Sequence, residues 1–68
     1  MDRLTFLGEK RYHYAVWDDG LTLCGRRWRT GDAGGVHAGA RVFRGDPPGY
    51  ELCPECHDIM TELRGEDR

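Results

Sequence analysis

Residues 52–64 read LCPECHDIMTELR, and they contain the clearest structural signal in the chain. Apolar side chains recur along this segment at the i, i+3, i+4 and i+7 spacing that places them on one face of a helix. The members of this face are Cys56, Ile59, Met60 and Leu63. Pro54 suits the first helical position, where its missing N–H costs no hydrogen bond, and Gly65 is a typical stop. The pattern predicts a helix at about 54–64, with its apolar face packed against the strands.

Two cysteines, Cys53 and Cys56, lie at the start of this predicted helix in a CxxC motif. The spacing lets the two sulfur atoms converge, and the N–H groups and dipole of a helix N-terminus favour their thiolate forms. A CxxC motif on its own is either a redox pair or half of a metal site. A redox pair is typical of a βαβ unit, and the residues before this motif show no helical pattern. The motif therefore predicts two ligands of a metal ion.

The remaining ligands must come from an earlier segment. Cys24 is the only other cysteine of the chain, and His13 precedes it with ten residues between them. Three thiolates and one neutral imidazole form a closed set for one structural Zn²⁺ ion. The predicted ligands are His13, Cys24, Cys53 and Cys56. His37 and His57 are alternative fourth ligands, and the alternatives to a metal site are reduced core cysteines or a disulfide within the CxxC motif.

The size of the chain supports the same interpretation. It has 68 residues and a mass of 7.8 kDa, so we expect 1–68 to form a single zinc-binding domain. A core this small barely offsets the entropy of ordering the chain, and such domains usually need a disulfide, a metal or a partner. The size argues against a dinucleotide-binding domain and a repeat array, and the short apolar runs argue against a membrane span.

Residues 11–24 contain two β-prone runs on either side of an Asp-Asp-Gly sequence, which predicts a β-hairpin. If Asp19-Gly20 forms a two-residue turn, Ala15 pairs with Cys24. His13 then lies on the same face of the hairpin as Cys24, as a shared metal site requires.

The segment that follows is less regular. Residues 30–39 include four glycines and predict a mobile loop, and residues 40–45 form a possible third strand. The predicted fold is therefore a small α+β zinc-stapled domain. It has an N-terminal β-hairpin, a possible third strand and one C-terminal helix.

Three motifs carry a resemblance to known proteins: YHYA at 12–15, LCG at 23–25 and LCPEC at 52–56. Together they resemble a class of small zinc-finger-like proteins of actinobacteria and actinophages, which pair an H-x-A … T-L-C-G segment with a later C-P-x-C knuckle. The layout, with hairpin ligands first and a CxxC at a helix start last, is similar to treble-clef and zinc-ribbon folds. The resemblance implies zinc binding and says little about activity.

The net charge of −2 is unevenly distributed along the chain. Residues 24–44 hold five arginines against one aspartate, whereas residues 45–68 hold seven acidic residues against two arginines. The small size, the acidic end and the surplus aromatic residues favour a protein-binding module, a regulator or adaptor that docks on a larger protein. The alternative is a nucleic-acid-binding zinc finger that uses the basic strand. Its candidate partner-binding residues are Arg26, Arg27, Trp28, Arg29, Arg41 and Arg44.

Other functions are less supported by the sequence. A metal-dependent hydrolase needs an open coordination position for water, which a closed ligand set lacks. The chain has no serine, so Ser-His-Asp catalysis is excluded, and we expect neither an enzyme nor a small-molecule substrate. The first nine residues show no secretory h-region, which predicts a cytoplasmic location where thiols stay reduced.

Overall fold

The computed structural model describes residues 1–30 and 35–65. Within them, five short strands precede one helix. The elements are β1 (Arg3–Thr5), β2 (Arg11–Val16), β3 (Leu21–Thr22), β4 (Arg41–Phe43), β5 (Glu51–Leu52) and α1 (Pro54–Arg64). This is the predicted α+β architecture of a sheet and a C-terminal helix. Part of the predicted 30–39 loop lies outside the described residues.

Strand β2 organises the sheet. It pairs antiparallel with β1 along one edge, and β4 adds antiparallel to the outer side of β1. On its other edge β2 pairs antiparallel with β3 near its end and parallel with β5 near its start. Strands β3 and β5, which come from distant parts of the chain, therefore meet the same edge of β2.

The predicted hairpin forms between β2 and β3, but its register differs from the prediction. Ala15 pairs with Thr22 and Val16 with Leu21, so the predicted pairing of Ala15 with Cys24 is wrong. The connection is four residues long because the Asp19 side chain accepts a hydrogen bond from the Leu21 N–H at 3.2 Å. The shift is two positions, so the residues of each strand keep their faces, while Cys24 leaves the strand and enters a turn.

Strand β4 confirms the predicted third strand, although it pairs with β1 rather than with the hairpin. Strands β1 and β5 are not predicted from the sequence. Both have only two or three residues, and a pattern of alternating polarity needs a longer run to be recognised.

The core lies on one face of the sheet and consists of Leu4, Ala15 and Trp28, with Phe6 and Ala40 packed against it. Trp28 is completely buried, and its indole N–H donates to the Leu21 carbonyl at 2.8 Å. The bond satisfies the one polar atom of the ring, so the side chain is stable in the core. Trp28, one of the candidate partner-binding residues, therefore lies in the core and not on the surface.

Helix α1 occupies the predicted positions, Pro54–Arg64, with Pro54 in its first turn. It ends at Gly65, which adopts a left-handed φ of 71°. Its apolar face is packed in part: Cys56 is completely buried, Ile59 and Met60 are half-buried, and Leu63 is 68% exposed. The burial of this face therefore decreases from the N-terminal to the C-terminal end of the helix. No helix in residues 1–30 and 35–65 has the length and apolar character that crossing a membrane requires.

Candidate metal centre

Four side chains from three separate segments converge beside the core: His13, Cys24, Cys53 and Cys56. One potential ligand atom of each lies within 4.8 Å of all the others. A tetrahedral zinc site with Zn–S and Zn–N bonds of about 2.3 and 2.1 Å has ligand–ligand distances of about 3.6 to 3.8 Å. The His13 Nδ1 atom lies 3.5 Å from the Cys24 sulfur and 3.9 Å from the Cys56 sulfur, close to these values. The cluster can therefore hold a single metal ion.

The histidine is positioned by β2 and by an aromatic contact. His13 lies opposite Leu4 in the sheet, and its ring packs edge-on against Phe6 at a centroid distance of 5.4 Å. In this orientation Nδ1 faces the sulfur atoms and Nε2 faces away from them. Burial lowers the pKa of His13, which favours the neutral imidazole that a metal requires.

A carboxylate outside the predicted ligand set completes the environment of His13. The Glu9 Oε1 atom lies 3.4 Å from His13 Nε2, and its Oε2 atom accepts a hydrogen bond from Arg26 at 2.7 Å. The guanidinium of Arg26 in turn lies over the Phe6 ring, 4.1 Å from the centroid. When Nε2 carries the imidazole proton and donates a hydrogen bond to Glu9, Nδ1 has a free lone pair to bind a metal. Glu9 is not recognisable from the sequence, because it lies in the turn between β1 and β2 and its contact with His13 matches no motif.

Cys24 is presented by a tight turn after β3. The Gly25 N–H donates to the Thr22 carbonyl at 2.9 Å, and Gly25 has a φ of 99°, a conformation that other residues rarely adopt. The Thr22 hydroxyl lies 3.1 Å from the Cys24 sulfur and accepts the Arg26 N–H at 2.9 Å. The turn thus holds the half-buried Cys24 sulfur against the cluster.

Cys53 and Cys56 are placed by β5 and the first turn of α1. The Cys53 N–H donates to the Tyr12 carbonyl at 2.8 Å, which extends the parallel pairing of β5 with β2 to the start of the helix. Cys56 is completely buried. Burial raises the pKa of the Cys56 thiol to about 12, so a metal ion that binds there must displace its proton.

The two alternative histidines are not part of this cluster. His37 is exposed, and its backbone N–H donates to the Trp28 carbonyl at 2.9 Å. His57 is also exposed, and its ring lies 3.4 Å from the Asp58 carboxylate. Of the three histidines, only His13 lies within reach of the sulfur atoms.

The predicted partner-binding residues differ in their contacts and in their exposure. Arg26 is paired with Glu9, and Arg29 donates to the Trp17 carbonyl at 2.8 Å while its guanidinium lies 5.7 Å from the Trp17 ring centroid. Of the predicted partner-binding arginines, Arg27, Arg41 and Arg44 are exposed and have no ion pair among the described residues. Trp28 lies in the core.

Comparisons of the chain with protein-family models, with curated proteins and with solved structures find no match. The resemblance to zinc-finger-like proteins therefore stays a prediction.

Proposed function

We propose that this chain is a small binding module whose fold is held together by one structural Zn²⁺ ion at His13, Cys24, Cys53 and Cys56. The observation that supports it is the convergence of these four side chains, with ligand atoms within 4.8 Å of one another, from segments far apart in sequence. Three thiolates and an imidazole suit zinc, because soft sulfur ligands in tetrahedral geometry favour it over magnesium, calcium or manganese.

The metal has a structural role in this proposal. Four protein ligands fill a tetrahedral site and leave no position for the water that a catalytic zinc activates. The ion would join β2, the turn after β3 and the start of α1, and Cys56 is the only buried residue of that helix. The ion would fasten the most buried part of the helix to the sheet, so metal binding and folding are coupled.

Native mass spectrometry and elemental analysis test the zinc site directly. We expect one zinc per chain, lost with a strong chelator, and a monomer whose compact charge-state distribution broadens when the metal is removed. Cys24→Ser and Cys56→Ser should both abolish stoichiometric zinc, whereas His57→Ala, the matched control at an exposed histidine, should retain it. Protein that contains no zinc after expression in zinc-supplemented medium, and takes none up on refolding, would contradict the proposal.

We further propose that the module binds a protein and not a nucleic acid, and that it has no catalytic activity of its own. Two arginines of the basic strand are engaged internally and its tryptophan is buried, which weakens the case for nucleic-acid binding. Exposed apolar side chains favour a protein partner, since Trp17 is 44% and Leu63 is 68% exposed.

Fluorescence anisotropy with random-sequence DNA and RNA separates the two kinds of partner. We expect no binding between about 50 and about 300 mM salt, where a protein that contacts phosphates shows a steep loss of affinity. A steep salt dependence that Arg27→Ala flattens by about one unit of the log–log slope would instead favour nucleic acid.

A further inference from the structure

A cavity of about 410 Å³ lies directly over the cluster and gives access to only part of it. Cys24 and Cys53 line this cavity, whereas Cys56 is completely buried and does not. Cys24 is the most accessible of the three cysteines, since it alone is only half-buried. The three cysteines therefore differ in the access that a small molecule has to their sulfur atoms.

The rest of the cavity wall carries charge. Three cationic side chains, Lys10, Arg11 and Arg26, lie around it with the carboxylates of Glu9 and Glu55. When zinc is bound, the metal keeps its ligand sulfur atoms deprotonated, and the thiolate is the form of cysteine that reacts with oxidants. Cys24 and Cys53 are the two ligand sulfurs that the cavity opens to a small molecule.

We infer that the metal centre is a redox-sensitive switch. Hydrogen peroxide that enters the cavity oxidises Cys24 and Cys53 to a disulfide, and the zinc ion leaves. The inference rests on the proposed zinc site and adds its regulation.

The reaction has two steps, and its atoms and electrons balance. The Cys24 thiolate attacks one peroxide oxygen, so an S–O bond forms, the O–O bond breaks, and the departing hydroxide takes a proton to become water. The Cys53 thiolate then attacks the Cys24 sulfur, so the S–S bond forms, the S–O bond breaks, and a second hydroxide takes a proton. Two thiolates lose two electrons, peroxide gains them, and two waters and Zn²⁺ are released.

The geometry permits the second step. The two sulfur atoms lie no more than 4.8 Å apart and must approach to about 2.05 Å. Cys24 sits in a turn that ends at Gly25, so the movement involves a short segment and not a strand. After oxidation only His13 and Cys56 remain as ligands, and two ligands do not make the closed site that a structural zinc needs.

The test uses the zinc-loaded full chain with about one equivalent of hydrogen peroxide, while a chromogenic chelator reports free zinc. We expect about one zinc released per peroxide consumed, a Cys24–Cys53 cross-link in non-reducing peptide maps, and Cys56 as a free thiol. A thiol reductant with added zinc should restore the metal-bound form.

Cys24→His tests the residue assignment, because it keeps a fourth ligand while it removes one sulfur of the reactive pair. We expect this variant to hold zinc and to release it at least about tenfold more slowly under peroxide. Release at the wild-type rate would overturn the inference. A cross-link that maps to Cys53 and Cys56 in the wild type, or zinc retained through excess peroxide, would also overturn it.

The same experiment separates this inference from the zinc site on which it depends. Elemental analysis precedes the oxidation, so a chain without zinc refutes the proposed function, and the switch fails with it. A chain that holds zinc and keeps it under peroxide refutes only the switch.

Discussion

At the scale of single residues, the contact of Glu9 with His13 distinguishes this cluster from a chance grouping of cysteines. Glu9 bridges His13 Nε2 and the Arg26 guanidinium and so orients the ring with Nδ1 toward the sulfur atoms. Carboxylates in this position typically contribute a factor of about 10 to 100 in metal affinity. We expect Glu9→Ala to weaken zinc binding by that factor and Glu9→Gln, whose amide oxygen still accepts a hydrogen bond, to weaken it less.

A competition titration with a chromophoric chelator measures this effect. Glu62→Ala is the control, because Glu62 is an exposed carboxylate on α1 outside the cluster. Equal zinc affinities for Glu9→Ala and Glu62→Ala would show that Glu9 has no part in the site.

The pH dependence of zinc affinity is a second property of individual residues. Burial raises the pKa of the metal-free Cys56 thiol to about 12, so this thiol is protonated at neutral pH and the metal must displace its proton. Displacing one proton makes the apparent affinity rise about tenfold per pH unit, and acidification reverses the effect. Burial also lowers the pKa of His13, which keeps its imidazole neutral and available over more of the acidic range.

Zinc affinity measured at several values between pH 6 and pH 8 checks this expectation. The apparent dissociation constant should fall by at least about one decade for each unit of pH increase. A flat profile would mean that no thiol proton is displaced and that the cysteines are not the ligands.

At the scale of structural elements, the turn after β3 depends on the backbone of Gly25. Its φ of 99° strains any residue with a Cβ, although no atom outside its chain neighbours lies within 4 Å of that position. We expect Gly25→Ala to destabilise the zinc-loaded protein by about 1 to 2 kcal/mol through backbone strain alone. Gly45→Ala is a matched control, because Gly45 has equally open space and no left-handed φ.

Chemical denaturation of the two zinc-loaded variants measures the difference in their free energies of unfolding. If Gly45→Ala is as destabilising as Gly25→Ala, the left-handed backbone of Gly25 is not the cause of the lost stability.

Helix α1 gives the second expectation at this scale. Because Leu63 is 68% exposed, Leu63→Ala should change the free energy of unfolding by less than about 0.5 kcal/mol. Leu4→Ala, at a completely buried position in β1, should cost about 2 to 5 kcal/mol. Denaturant titrations of the zinc-loaded variants measure both, and a large cost at Leu63 would show that the end of the helix is packed in solution.

The contrast between α1 and the sheet shows what the sequence predicts and what it does not. The helix and its ends follow from local spacing, and so do the cysteines of the CxxC motif. The pairing of β5 with β2, the burial of Trp28 and the role of Glu9 depend on contacts between distant segments, which no local pattern encodes. The predicted hairpin register is wrong for a different, local reason, because the Asp19 side chain competes with the backbone for the Leu21 N–H.

At the scale of the whole molecule, the small core predicts that metal removal unfolds the tertiary structure. The core cluster consists of three buried side chains with two partly buried neighbours, and zinc would supply the cross-link that this core lacks. The fluorescence of Trp28 reports on the core, because this side chain is completely buried there. Trp17 packs edge-on against Trp28 at a centroid distance of 4.8 Å and is partly exposed, so its own emission must be removed. In a Trp17→Phe background, chelation should therefore shift the emission of Trp28 to longer wavelength. Emission that stays at short wavelength after complete zinc removal would mean that the core persists without the metal.

The order of the four ligands along the chain determines which segment can vary in length and sequence. His13 and Cys24 form one half of the site on the hairpin, and Cys53 and Cys56 form the other half on a contiguous segment, with 28 residues between the two halves. The entropy of closing a chain loop grows only with the logarithm of its length, so doubling this segment costs about 0.6 kcal/mol. The connection between the halves is therefore a part of the protein where insertions are tolerated, provided that Trp28, β4 and β5 are kept. Over evolutionary time such a segment can diversify, while the length of each half-site, fixed by the turn at Gly25 and by the first turn of α1, cannot.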